Sequence, residues 1–191
     1  MGDHSAWQKE NFFDVSCRIP FLLSWPARFE ADVRQEQLVS LTDLYAIATG
    51  ASGDVIVRDG WDVLGGIGEG VSAREALFGM YGSPGTPLFK IMVRQGEWKY
   101  IYLANGGREQ LFNLEEDPEE IHQMAESNSH VVDRLRRLAI DALDNKAGEA
   151  ALHERTLRAF EYERRPQQRV YQFDRSRGVA GFPERPEDVL T

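Results

Sequence analysis

Apolar and polar residues change period several times along this chain, and each change predicts a different element. Arg18–Trp25 is a short apolar run that Pro26 ends, the pattern of a buried strand. Over Leu38–Thr49 the period lengthens: Leu38, Leu41, Tyr45 and Ala48 recur at helical spacing. Ser40 or Thr42 suits the start of that helix and Gly50 its stop. Residues 50–73, rich in Gly and Asp, then predict a long loop. Within it, Gly65-Gly66-Ile67-Gly68-Glu69-Gly70 has the look of a phosphate cradle. Its spacing is not that of a dinucleotide-binding turn and no strand pattern precedes it, so a flexible connection is expected.

The next stretch is strand-rich. Ala76–Tyr81, Phe89–Arg94, Trp98–Leu103 and Gln110–Leu114 are short and β-prone, with Gly-, Pro- or Asn-bearing turns between them. Gln95-Gly96-Glu97 and Asn105-Gly106-Gly107 suit hairpins, so an antiparallel sheet is predicted. After the turn at Asp117-Pro118, Val132, Leu135, Ala139 and Leu143 form one apolar helical stripe, with Arg134, Arg136 and Arg137 largely off it. That helix is expected to end near Gly148. A second helical piece is expected to carry Leu152, Thr156 and Phe160 towards Pro166, before an irregular end.

The fold class that follows is α+β. An opening strand and helix form the edge piece of an α/β sheet, and a small antiparallel four-stranded sheet with a long C-terminal helix comes after them. The expected divisions are residues 1–72, 73–148 and 149–191.

Composition changes this picture only in places. At 191 residues, 42% hydrophobic and 28% charged, the chain has the make-up of a globular protein with a buried core. A net charge of −9 opposes general nucleic-acid binding, which needs excess Lys and Arg to displace counterions. Charge is uneven: Glu115–Glu120 is acidic, whereas Arg155–Arg185 interleaves arginines with Tyr162, Tyr171, Phe173 and Phe182. Such a tail can strap over its own domain or meet RNA, and the overall charge favours the strap. Ile19–Trp25 is too short to span a bilayer, and Met1–Trp7 lacks the basic start of a secretory signal. Neither nucleic acid nor membrane is therefore an expected partner. The single cysteine, Cys17, beside an apolar run, reads as a small buried hydrophobe.

Several stretches, in order, resemble the C-terminal portion of the type I sulfatases of the alkaline-phosphatase superfamily. Gly2-Asp3-His4-Ser5-Ala6-Trp7-Gln8-Lys9 is similar to the family's Gly-Asp/Glu-His-Gly-x-x-x-Lys, with Ser5 in place of Gly. Phe13-Asp14-Val15-Ser16-Cys17-Arg18-Ile19-Pro20 resembles its (F/Y)-(E/D)-x-x-x-R-(V/I)-P strand. "VSLTDLYAIATGAS" resembles its V-S-x-x-D-L-x-P-T helix, with Ala46 where the family has Pro. "VRQGEWKYI" and "EQLFNLEEDPEE" are similar to its V-R-x-x-x-W-K-Y-I and E-x-L-F-(N/D)-L-x-x-D-P-x-E. The resemblance covers about residues 1–145.

This resemblance implies a sulfuric ester hydrolase in which a metal-bound formylglycine hydrate cleaves a sulfate ester, with calcium as the usual cation. It also implies that the metal-binding Asp-His pair and the formylglycine signature lie before Met1. The substrate partner would be a sulfate ester, and the sequence partner a preceding sulfatase part. On this reading the chain contains no catalytic nucleophile and no metal ligand, binds no cation alone and turns over no aryl sulfate by itself. Lys9 is the sulfate-contacting residue, and His4 a second substrate-side residue that acts as an acid or holds the loop. A phosphonate or phosphodiester hydrolase of the same superfamily, or a non-catalytic binding module, are the other readings.

Four further features carry chemistry or mimic it. Ser24-Trp25-Pro26-Ala27-Arg28 satisfies Ser-x-Pro-x-Arg but lacks the Leu-Thr-Gly that follows it in the family, so it is taken as coincidence. Asp14 and Arg18 flank an apolar run and suggest a structural ion pair. Gly82–Pro87 is either a pocket-lining loop or a connecting turn. Trp98 and Tyr100, alternating with Lys99, are expected in the sheet core rather than as a sugar platform.

Overall fold

A computed structural model describes residues 11–52, 60–61, 63, 74–145 and 147–163. The chain divides into two compact units, Met1–Glu161 and Tyr162–Thr191, and the elements below belong to the first. In order they are α1 (Asp14–Cys17), α2 (Asp43–Ser52), β1 (Leu77–Tyr81), β2 (Lys90–Gln95), β3 (Trp98–Leu103), β4 (Arg108–Asn113), α3 (Ser129–Leu143), β5 (Leu152–His153) and β6 (Thr156–Leu157). The fold is α+β, built on one antiparallel sheet ordered β1-β2-β3-β4.

Turn chemistry sets the register of that sheet. Gly96, at φ 56°, reverses the chain between Gln95 and Trp98, which pair directly across the hairpin. Strand alternation then divides the side chains between two faces. Ile91, Val93, Tyr100, Tyr102 and Leu111 point to one face, where Val131, Val132, Leu135, Ala139 and Leu143 of α3 cover them. Met92, Ile101 and Phe112 point to the other, where Phe12 and Phe13 cover them, and the Phe13 and Phe112 rings meet edge-on at 5.8 Å. Gly79 of β1 makes that second cover possible: a Cβ there would lie 2.8 Å from the Phe12 ring.

Three sequence expectations are corrected. Arg18–Trp25 is not a strand; it is irregular chain with no ladder partner among the described residues, and Leu22 is 95% exposed. An apolar run supplies strand propensity, but a strand exists only where a neighbour completes its hydrogen bonds. Helix α2 begins later than the Leu38 periodicity suggested and runs through Gly50, and Leu41, Leu44 and Tyr45 are exposed. The second helical piece is absent: a 3₁₀ turn at Glu149–Ala151 leads into the β5–β6 hairpin, and Phe160 bridges to Asn105. Tertiary hydrogen bonds favoured that course, with Phe160 N–H donating to Ala104 O at 2.9 Å and Tyr102 Oη–H donating to Leu157 O at 3.2 Å.

The β5–β6 turn carries local strain. Glu154 (φ 48°) and Arg155 (φ 59°) both adopt left-handed conformations, which that tight hairpin demands and which Asn-Gly satisfies far better. Glu154→Asn with Arg155→Gly should raise stability by about 1–2 kcal/mol, or roughly 2–6 °C in Tm, read by calorimetry. An unchanged or lower Tm would show that the exposed side chains at this tip outweigh the backbone cost.

Among the described residues no helix is long and apolar enough to cross a membrane.

Candidate functional site

Lys9 and His4, the two substrate-side residues expected from sequence, lie outside the described residues, as do Gly65–Gly70 and the Arg-rich stretch from residue 164. The structure describes instead the buried charged cluster that holds the segment following Lys9. Lys99 is the second residue of β3, opposite Arg94 and Phe112, and is 1% exposed. Its ammonium donates to Phe12 O at 2.8 Å, to Glu120 Oε1 at 2.7 Å and to Asp14 Oδ1. Those contacts use all three protons of the ammonium. The other Glu120 oxygen accepts the Asp14 backbone N–H, so one carboxylate grips both β3 and α1.

The turn after β4 places Glu120 there. Asp117 accepts the backbone N–H groups of Ile121 and His122 at 3.1 and 2.7 Å, and Glu120 N–H donates to Asp117 O at 3.0 Å. Burial pushes the Asp117 carboxyl up, but those N–H donors prevail and hold it below the usual carboxylate range. Glu120 itself takes φ 58°, a left-handed conformation costing about 1–2 kcal/mol in a non-glycine residue. The buried ion pair with Lys99 offsets that cost. The acidic run Glu115–Glu120 is thus partly structural, with Asp117 and Glu120 buried.

Asp14 pairs with Lys99, not with Arg18 as sequence proximity suggested. Arg18 precedes an irregular segment, whereas the first turn of α1 directs Asp14 towards the sheet. Cys17 donates through Sγ to Phe12 O at 3.2 Å and lies 4.0 Å from the Lys99 ammonium. Burial pushes its thiol pKa up, against the lowering effect of Lys99, which suits a packed thiol better than a nucleophile. Arg94, beside Lys99 on this face, has a buried Nη1 without a hydrogen-bond partner, and burial lowers its pKa.

A second ionic junction fixes α2. Asp43 is fully buried; its carboxylate receives both terminal nitrogens of Arg74, at 3.0 and 2.6 Å, and the N–H groups of Ser40 and Trp61, at 2.7 and 2.8 Å. Its bond back to Ser40 is half of a capping box. Arg74 also stacks over the Trp61 ring at 5.6 Å.

The remaining candidates have ordinary surroundings. Ser24 lies in irregular chain just before a turn in which Arg28 stacks over Trp25 and Phe29. Gly82–Pro87 connects β1 to β2. Tyr100 is in the core, with Trp98 packed against that core. An open groove of about 310 Å³ beside α3 includes Glu109 and Arg136, but Arg136 is already held by Glu109 at 2.6 and 2.7 Å and by Asp133 at 2.7 Å. Among the described residues no group of three His, Cys, Asp or Glu is placed to hold a metal. Asp14 and Glu120 come together, but around an ammonium, so they do not fit calcium.

No family model matches the chain. Against curated proteins it is 28% identical over 162 residues to choline-sulfatase of Rhizobium meliloti, covering 81% of this chain and 31% of that protein. It is 27% identical over 136 residues to arylsulfatase K of Mus musculus (64% and 24%), and 26% over 170 residues to arylsulfatase G of Canis lupus familiaris (74% and 31%). The chain therefore spans less than a third of the length of these relatives. Among solved structures it is similar to Ps i-CgsB, with a TM-score of 0.52 and 24% identity over 65% of this chain and 28% of that one. A sulfatase candidate from Bacteroides thetaiotaomicron matches with a TM-score of 0.50 and 20% identity, over 62% and 27%.

Proposed function

We propose that this chain, a sulfatase-family member that resembles the C-terminal portion of its relatives, forms the substrate-side part of a sulfuric ester hydrolase. The observation that carries this reading is the 162-residue likeness to choline-sulfatase, which spans most of the chain. In this reading residues 1–72 complete the edge of an α/β domain, 73–148 form the sheet subdomain and 149–191 an extension. The exposure of Leu22, Leu41, Leu44 and Tyr45 supports the first assignment, since that apolar surface suits a further layer.

Lys9 is the residue that meets the substrate. As a sulfate ester cleaves, negative charge grows on the bridging and non-bridging oxygens, and a fixed ammonium stabilises it more in the transition state than in the ground state. His4 either protonates the leaving alcohol or holds the loop. Calcium belongs to the family chemistry, and among the described residues no carboxylate group is placed to hold it.

The test uses the protein as its gene encodes it, assayed on aryl sulfate, phosphodiester and phosphonate esters. Lys9→Ala should lower kcat/KM on the sulfate ester by about 10²–10³-fold, the size of one lost transition-state contact. Lys9→Arg should restore it in part, because a planar fork replaces a point charge imperfectly. Equal kinetics for Lys9→Ala and the unaltered protein would remove the assignment. Faster turnover of phosphorus esters than of sulfate would move the chain to the other branch of the superfamily, and no turnover at all would favour a binding module.

A further inference from the structure

We infer that Lys99 is a positioning residue for this hydrolase, acting at a distance through the segment that carries Lys9. The inference rests on the sulfate-side role proposed for Lys9 and adds what fixes it. Lys99 binds the Phe12 carbonyl and the Asp14 carboxylate, and Glu120 binds the Asp14 N–H, so the chain is fastened to β3 at two successive points. Phe12 and Phe13 seal that attachment by packing on Met92, Ile101 and Phe112. Lys9 precedes Phe12 by three peptide units, which reach roughly 10 Å at full extension. Fixing Phe12 therefore limits the volume that a residue three peptide units before it can sample.

An ammonium fixed inside the sheet suits this task better than an apolar plug. Burial of Phe12 and Phe13 is non-directional and tolerates sliding. A lysine with all three protons committed to named oxygens fixes one register of the segment. A displacement of about 1 Å at a transition-state contact is enough to lose roughly 10²-fold in rate.

The experiment is a cycle between the lock and Lys9 in the protein as its gene encodes it. Lys99→Met with Glu120→Leu removes both buried charges together, so neither is stranded. Hydrogen exchange at amides 12–17 should speed up at least about 10-fold in that variant; unchanged exchange would overturn the inference. Its kcat should fall with KM nearly unchanged, and adding Lys9→Ala should cost less than about 10-fold more, against about 10²–10³-fold in the unaltered background. A merely structural lock predicts the opposite: the full Lys9→Ala loss in both backgrounds overturns the positioning role alone. A silent Lys9→Ala in the unaltered protein overturns the site assignment and the positioning role together. If the double variant does not fold, Asp14→Asn, at a partly exposed residue, replaces it in the same cycle under the same criterion.

Discussion

Lys99→Met alone should destabilise the chain by about 3–5 kcal/mol, or abolish its cooperative unfolding transition. The substitution removes the cation and leaves the Glu120 carboxylate, with 1% side-chain exposure, in a region from which water is excluded. Its remaining partner among the described residues is the Asp14 N–H, and one hydrogen bond does not replace the lost solvation of a carboxylate. A typical domain has only about 5–15 kcal/mol in total, so the effect is large. Urea unfolding followed by tryptophan fluorescence reads it. Lys99→Met with Glu120→Leu should recover part of the loss: two apolar groups then occupy the space of two buried charges, while the Asp14 carboxylate, 25% exposed, keeps access to water. A single-variant cost under about 1 kcal/mol would mean that water reaches Glu120 and that the pair acts as a surface ion pair.

Asp43→Ala should cost about 3–4 kcal/mol, with the damage centred on α2 and the Trp61 segment. The substitution strands the Arg74 guanidinium, whose side chain is 13% exposed, and leaves the Ser40 and Trp61 N–H groups without their acceptor. The same cluster gives a pH dependence with a defined sign. Burial raises the Asp43 pKa, but hydrogen bonds from Arg74, Trp61 and Ser40, with the charge of Arg74, outweigh it and hold the carboxyl below its ordinary value. A carboxylate depressed on folding contributes stability that is complete above its unfolded pKa, about 3.9, and is lost as pH falls through the lower folded value. Wild type should therefore lose stability below about pH 4 more steeply than Asp43→Ala. Parallel acid-unfolding curves would show that Asp43 contributes through packing alone.

Local order was legible in the sequence wherever a short stretch decided it. Trp98–Leu103 was read with its bounds, because the turn at Gln95-Gly96-Glu97 and a β-prone run leave little else for that segment to do. The stripe Val132, Leu135, Ala139 and Leu143 was legible because helical periodicity places those four on one side, and all four are buried in α3. The substrate-side candidates Lys9 and His4 came from motif order, and they remain outside the described residues. In sequence Lys99 is only the polar member between Trp98 and Tyr100. Alternation suggests solvent for such a residue, and only the packing of Phe12 and Phe13 shows that both faces of the sheet are covered. A charged residue inside an aromatic-rich strand, followed later by Glu in the Asp-Pro turn, was the available signal.

By itself the sequence determined the antiparallel sheet, the α3 stripe and the resemblance to sulfatases, since each rests on period, turn residues or motif order within a local window. Tertiary structure alone decided that Asp14 meets Lys99 rather than Arg18, and that Arg18–Trp25 is not a strand. It also decided that the chain after Gly148 closes on the sheet as a hairpin instead of forming another helix. All three depend on which groups far apart in the chain satisfy a charge or a backbone hydrogen bond, and a strand or a buried ion exists only when that distant partner is present.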